Sequence, residues 1–413
     1  MRRNEEKVMS TGQHKKTLKT IGLLMAATLL GSASLAFAGP REQAVRMHNR
    51  LVGTPPSAAT LAQMEGMIGN DPVGAAMIAI DNPNNTNFYN TTVRNFAAPM
   101  TNVGQSVYVP LNDMTATIIG MVRDDRDFRE VLYGDYLYTG GNAVATGYSP
   151  YDNVHYDELD NDGVDLKAAL VSIPQSVAHS DDLANGGAAG VQTTRAASEA
   201  YFSAGTNRRM LRFMFMNFMC RDFEDVHDVT RVPDRIRQDI SRSPGGDSSL
   251  YLGSCIGCHA GMDGLAGGYA YYQHDDVDDA TAPDFGLEYT PNNVQGKNNI
   301  NANTFPSGYE TVNDSWVNYW RNGPNSALGW DVNGLGTGVL PGYGNGAASL
   351  GQELANTRVF SECQTERVFK AVCLHEPATP ADRMAVQSMA TSFQNGYSMK
   401  QLFAETAAYC MGQ

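Results

Sequence analysis

Along residues 41–81, apolar side chains return every three or four positions in REQAVRMHNRLVG, SAATLAQMEGMIGN and DPVGAAMIAID. That period predicts three short amphipathic helices, with Ser57 and Asp71 as N-caps. The polar stretch DNPNNTNFYNTT then predicts a turn opening a further short helix. MTATIIGMVRDD (114–125) reads as a buried helix, followed by DFREVLYGDY. Residues 139–163 are rich in Gly, Asn, Asp and Tyr and read as loop. The strongest helical block spans 190–223 and ends in TNRRMLRFMFMNFMC. Its stripe of Phe213, Met214, Met216, Phe218 and Met219 is either core or the wall of a cofactor pocket. Asp234–Ile240 reads as a short helix leading into the turn SRSPGGDS. From 274 to 344 the period disappears, and Asn, Gly, Tyr and Pro predict a long ordered loop region with short elements. From Ser349 onward the helical pattern resumes in three segments, with Gly396 as a C-cap and Ser398 as an N-cap.

These elements predict a mainly α fold: a helical, cytochrome c-like region inside a larger all-α protein with long ordered loops. The expected organisation is a leader over 1–38, an N-terminal helical region over 39–189, a central region over 190–345 and a C-terminal helical module over 346–413.

The leader is read from Arg2, Arg3, Lys7, Lys15, Lys16 and Lys19, followed by IGLLMAATLLGSASLAFA. A basic start, a short apolar run and small residues before Ala38 form a secretory signal, with cleavage expected after Ala38. The run is marginal in length for a membrane span, and no other apolar stretch is long enough for one. Arg2-Arg3 lies too far from the apolar run for a strong twin-arginine signal. A periplasmic or secreted location follows as an expectation.

The whole chain carries −14. The leader contributes +4, from six Lys/Arg against two Glu, so about −18 remains on the remaining ~375 residues. That balance argues against nucleic acid or an anionic membrane surface as partner. It suits a redox partner protein with a basic docking face.

Six cysteines are present, at 220, 255, 258, 363, 373 and 410. Cys255 and Cys258 stand in CIGCH, with His259 next. That order is the c-type haem attachment pattern. Each thiol can form a thioether to one vinyl group, and the adjacent imidazole becomes the proximal iron ligand. Three other readings compete. A zinc hook needs further ligands, and no second CxxC occurs. A thioredoxin-like pair needs a strand before it and a helix after it. A plain disulfide remains open in an oxidising compartment. One covalent haem c is the expected cofactor.

Cys363 and Cys373 fall in SECQTERVFKAVC, one predicted helix, which holds them about 15 Å apart. They are therefore expected to pair with Cys220 and Cys410. If the last two helices run back along the Cys363 helix, Cys410 comes near Cys363.

Around CIGCHAGMDGLAGGYAYY the chain resembles planctomycete-type cytochrome-like domain families. In those, CxxCH is followed by an Asp-Pro-Leu-Gly-like segment. Here that segment is Met262-Asp263-Gly264-Leu265-Ala266-Gly267, with Gly264 in place of the proline. RIRQDISRSPGGDSSLYLGS is similar to the arm before the motif. RDDRDFREVLYGDYLY and the final LANTRVFSECQTERVFKAVC…FQNGYSMKQLFAETAAYC are similar to flanking helical modules. The resemblance covers about half of the chain after the leader and implies an exported, mostly helical haem c protein. It implies no defined activity.

The sixth iron position decides the chemistry. Met262, three residues past His259, is too close to reach the opposite face. His274 in YYQHDD is the candidate distal ligand, with an exposed loop histidine as the alternative. His227 and the methionines of 210–219 are weaker candidates, and a vacant position is the remaining option. Arg237 and Arg242 are expected to meet the haem propionates, with Arg208 and Arg209 next. Glu158, Asp160, Asp162 and Gly163 imitate the start of a calcium loop, but position 169 is Ala where the closing Glu belongs. GLGTGVLPGYGNGAASLG lacks the GK[ST] of a phosphate loop. Three functions therefore stand: an electron-transferring monohaem cytochrome, a haem enzyme with an open sixth site such as a peroxidase-like oxidoreductase, and a haem-stabilised binding protein. The first is the primary expectation.

Overall fold

Proline, serine and aspartate start the first three helices for local reasons. Pro40 opens α1 (Pro40–Val52), where a missing N–H costs nothing. Ser57 caps α2 (Ala58–Met67) by accepting the Thr60 N–H. Asp71 caps α3 (Pro72–Asp81) by accepting the Gly74 N–H at 2.8 Å. Both expected N-caps are therefore present. α4 (Asp113–Arg123) follows, capped by Asn112 and buried along almost its whole length. The coordinates are a computed structural model that describes residues 38–102, 109–180, 182–203, 206–231, 235, 247–275, 286–298, 309–331 and 340–412. The basic and apolar leader up to residue 37, the expected 234–240 helix beyond Arg235, and Arg237 and Arg242 lie outside them.

The 139–163 stretch is not all loop. It lies between β1 (Leu137–Thr139) and β2 (Val171–Ile173), which pair antiparallel, and contains the helix α5 (Val154–Asn161). Tyr156 and Leu159, three apart, bury one face of α5, and the Tyr156 hydroxyl donates to the Tyr138 carbonyl. Tertiary burial of that face outweighs the poor helix propensity of its Asp and Asn residues. Two of the three calcium-like carboxylates are otherwise engaged: Asp160 pairs with Arg94, and Glu158 accepts from Thr146.

The 190–223 block divides into α6 (Arg195–Tyr201) and α7 (Asn207–Met214). α7 widens into a π turn over Phe215–Met219 and stops at Cys220, whose φ is 51°. The methionine and phenylalanine stripe is core apart from the half-buried Met216. The cysteine–histidine motif then opens α8 (Ile256–Ala266). Among the described residues of 272–345 the elements are short. β3 (Tyr272–Asp275) pairs with β4 (Gly286–Tyr289), and β5 (Ser315–Val317) with β6 (Tyr343–Asn345), both antiparallel.

Four helices complete the chain: α9 (Gly346–Ala355), α10 (Arg358–Cys373), α11 (Pro380–Phe393) and α12 (Met399–Cys410). Ser398 caps α12 as expected, and Gly396 takes a positive φ of 103° after α11. α12 packs on α3 and α1. Arg50 of α1 donates to the Val372 and Cys373 carbonyls at the end of α10, where a cation also meets the helix dipole. One hydrophobic core runs from Ala44 to Cys410. The fold is mainly helical, and among the described residues no helix is long and apolar enough to cross a membrane.

The disulfides are Cys220–Cys363 and Cys373–Cys410, with Cα separations of 5.3 and 5.5 Å. Cys363 and Cys373 do share one helix and do not pair with each other. The expectation that Cys410 approaches Cys363 is corrected. Two reversals separate α10 from α12, so α12 runs in the direction of α10 and its last residue arrives at the last residue of α10.

Candidate functional site

The sequence GCHAGMDGLAGG makes sense once it is wound at about 100° per residue. Gly257, Gly261 and Gly264 then share one face of α8, while Cys255, Cys258, His259 and Met262 share the other. The glycine face is packed against neighbours without room for side chains. A Cβ on Gly257 would come within 2.5 Å of the His227 ring. One on Gly261 would overlap the Trp320 indole, with Cζ2 at 2.6 Å. One on Gly264 would meet the Val317 carbonyl oxygen at 2.7 Å. Trp320 is itself packed in a triangle with Phe215 and Phe223, at centroid distances of 5.4 and 6.0 Å, and the two phenylalanines meet each other at 5.6 Å. The glycines thus let β5 and the tryptophan press on one side of α8, and this orients the thiols and the imidazole to the other.

The His227 ring lies on the glycine face, away from the face that carries His259. Met262 stands one turn beyond His259 on the same face as the imidazole.

Cys255 and Cys258 are the two free cysteines of the described residues, both half-buried. Spacing of i,i+3 in a helix holds their Cβ atoms about 5–6 Å apart. The chain before Cys255 is a π turn, Tyr251–Cys255, and not a strand. Burial raises the Cys258 thiol pKa, and the carboxylates of Glu224 and Asp222 raise it further, against the nearby Arg212. A redox nucleophile needs the opposite shift. Among the described residues no three or more His, Cys, Asp and Glu converge to hold a metal ion, which a zinc hook requires. Cys258 reaches the Phe223 carbonyl with its Sγ at 3.5 Å. Leu252, three residues before Cys255, leaves 61% of its surface in solvent beside the thiols.

His259 is the best-defined member of the site. Its Nδ1 lies 3.1 Å from Oδ2 of Asp263, one turn along α8. The Asp263 side chain is completely buried, and its Oδ1 accepts from Nε of Arg208 on α7 at 2.6 Å. Burial alone would raise the Asp263 pKa. The Arg208 charge and the hydrogen bond from His259 more than offset it, and the carboxyl is held below its usual range. An ionised Asp263 can only accept, so Nδ1 carries the proton and donates. The lone pair is then on Nε2, which has no hydrogen-bond partner among the described residues. Two free thiols and an imidazole with an available Nε2, all on one helix face, form the donor set that a covalent haem needs.

The remaining expected site residues are placed as follows. Arg208 supports Asp263 from α7, and Arg209 donates to the Ala200 carbonyl. His274 is not an exposed loop residue. It sits in β3 opposite Leu287, is 4% exposed, and shares a hydrogen bond between Nδ1 and the Ser198 hydroxyl at 2.9 Å. α6 and β4 hold it, whereas α8 packs chiefly on α7, β5 and the Trp320 turn. Asp263 was not singled out from the sequence. Its signal was present as a His and an Asp at i,i+4 on a helix that also carries a cofactor motif.

The resemblance to the cytochrome-like families rests on the residues quoted for it, and the chain matches no family model, no curated protein and no solved structure.

Proposed function

We propose that this chain is an exported c-type cytochrome that carries one covalent haem at Cys255, Cys258 and His259 and passes electrons to a partner protein. The observation that carries the reading is the common face of α8. It presents two unpaired thiols and a proximal-type imidazole, in a chain whose other four cysteines are bridged. A haem bound there supplies one-electron chemistry. The chain's part is to hold the thiols at helical spacing, to fix the His259 tautomer through Asp263, and to support α8 from behind with Trp320. The net charge of −14 supports docking to a basic face. The two disulfides and the leader-like N-terminus support a periplasmic or secreted location.

A second reading, a haem oxidoreductase with an open sixth position, is favoured by one observation. His259 is backed by a buried carboxylate, an arrangement that raises the basicity of a metal-bound imidazole. Spectra of the purified protein, oxidised, reduced and under carbon monoxide, separate the two. An electron carrier with both axial positions filled gives low-spin spectra that carbon monoxide leaves unchanged. Binding of carbon monoxide to the reduced protein rejects the carrier in favour of the enzyme, and absence of haem bands rejects both.

A further inference from the structure

We propose that Asp263 and Arg208 are positioning residues for His259, forming a buried relay that makes this imidazole an unusually strong electron donor to whatever metal it binds. The inference rests on the haem reading above and concerns how that site is tuned.

Three features of the relay carry it. The first is the contact at 3.1 Å between Nδ1 of His259 and Oδ2 of Asp263. A carboxylate drawing on the Nδ1 proton shifts electron density toward Nε2, so the ring approaches imidazolate character. A backbone carbonyl in the same place would do so less, because a charged acceptor makes a hydrogen bond roughly twice as strong. The second is seclusion. The Asp263 side chain exposes nothing and that of Arg208 only 12%, so water does not compete for the carboxylate. The third is that each of the three groups is held by the fold. His259 and Asp263 are one turn apart on α8, and Arg208 reaches over from α7 with Nε on Oδ1 at 2.6 Å and the more distant Nη2 at 3.5 Å from Oδ2, the oxygen that the imidazole meets at 3.1 Å. The neighbouring Asn207 also donates to the Ala266 carbonyl, which pins α7 to the end of α8.

A strongly donating ligand stabilises the more positive oxidation state. The relay therefore favours ferric over ferrous iron and lowers the midpoint potential of the bound haem. It suits a site that gives electrons to strong oxidants.

The test compares wild-type holoprotein with Asp263→Asn. It reads the midpoint potential by redox titration and, where the reduced iron is five-coordinate, the iron–histidine stretch by resonance Raman. Asn keeps an acceptor oxygen but removes the charge. The expected result is at least a tenfold rise in the ferrous-to-ferric ratio at fixed potential, a shift of about +59 mV for one electron, together with a lower stretching frequency. Asp263→Asn removes the carboxylate charge that faces Arg208 and can fail to fold. The double variant Asp263→Asn/Arg208→Gln removes both charges together, and the same two shifts are expected of it. Asp228→Asn is the control. Asp228 is a buried carboxylate paired with Arg231 at 3.2 Å, and its N–H donates to the Gly257 carbonyl, but it does not touch His259. It should move the stretch not at all and the potential by much less. Covalent haem with potential and stretch unmoved in both Asp263 variants, or an equal response in Asp228→Asn, overturns the relay and leaves the haem assignment standing. A wild-type protein that attaches no haem overturns the assignment and the relay together.

Discussion

Replacing Gly261 by alanine tests whether α8 is held in place by contact with Trp320. The helix gains about 1 kcal/mol from the higher propensity of alanine. Against this, the new methyl would overlap the indole, with Cζ2 at 2.6 Å and two atoms closer still. Carbon atoms sit comfortably at about 3.5–4.0 Å, so helix and ring must separate by about 1 Å or more. Trp320 has no exposed surface and packs in a triangle with Phe215 and Phe223, so a shift of the ring disturbs buried aromatic neighbours. Overpacking of this type costs about 1–3 kcal/mol. The overlap here is severe, so the upper half of that range applies and the net loss is about 1–2 kcal/mol. Gly253, two residues before Cys255, provides the contrast. A Cβ there meets nothing within 4 Å, and the residue lies in the helical π turn. Gly253→Ala should therefore be neutral or stabilising by up to about 1 kcal/mol. Urea unfolding of both variants with the disulfides intact measures the difference as a change in midpoint at constant slope. The same preparations report haem occupancy, which should fall in Gly261→Ala because its displaced helix carries His259. A Gly261→Ala protein as stable as wild type, with full occupancy, would show that the tryptophan contact does not set the position of α8.

Other outcomes follow from the same structure. Removing the Cys373–Cys410 bridge as Cys373→Ser/Cys410→Ser frees a separation of 37 residues, and removing Cys220–Cys363 frees 143. Loop-closure entropy assigns about 4 and about 5 kcal/mol to these, so the second pair should lower the urea midpoint more. Stability should fall between pH 6.5 and about 4 because of His179. Burial, with the nearby Arg195, lowers its pKa to about 4 despite Asp113, and its Nε2 meets the Tyr148 hydroxyl at 2.5 Å. Its folded value lies below the unfolded 6.5, so the unfolded chain takes up the proton first. The contribution is present above pH 6.5 and is lost as pH falls toward 4, by about 3 kcal/mol in all. The slope of stability against pH over that window should flatten in His179→Gln, and an unchanged slope would show that other groups carry it. Ser57→Ala should cost about 1 kcal/mol by removing the cap of α2, as measured by thermal or urea unfolding.

Much of the helical frame could be read from the chain because its signals are local. Ser57, Asp71 and Ser398 announce helix starts within three residues of themselves, and SECQTERVFKAVC carries its own period. The elements that were missed depend on distant partners. α5 forms because Tyr156 and Leu159 are buried by residues elsewhere in the chain, and its own composition is poor for a helix. β5 finds β6 across the 25 residues from 318 to 342, whose composition signals only turns. The pairing of Cys410 depended on the number of helical reversals before it, which spacing alone does not fix. At the site the motif was plain, because five residues carry it. The use of the glycines was not, since a glycine records only that something comes close and not that the visitor is Trp320 or His227. Asp263 was hidden in the same way. One helical turn joins it to His259, but only the fold brings Arg208 from α7 to keep it charged.

The decisive measurement is the haem content of the secreted or periplasmic protein, produced beside a working cytochrome c maturation system and then fully denatured. One haem per chain should remain bound through denaturation and organic extraction, and it should be lost from the peptide in Cys255→Ala/Cys258→Ala. A colourless wild-type protein, or haem that stays covalently attached without both thiols, would contradict the assignment of Cys255, Cys258 and His259.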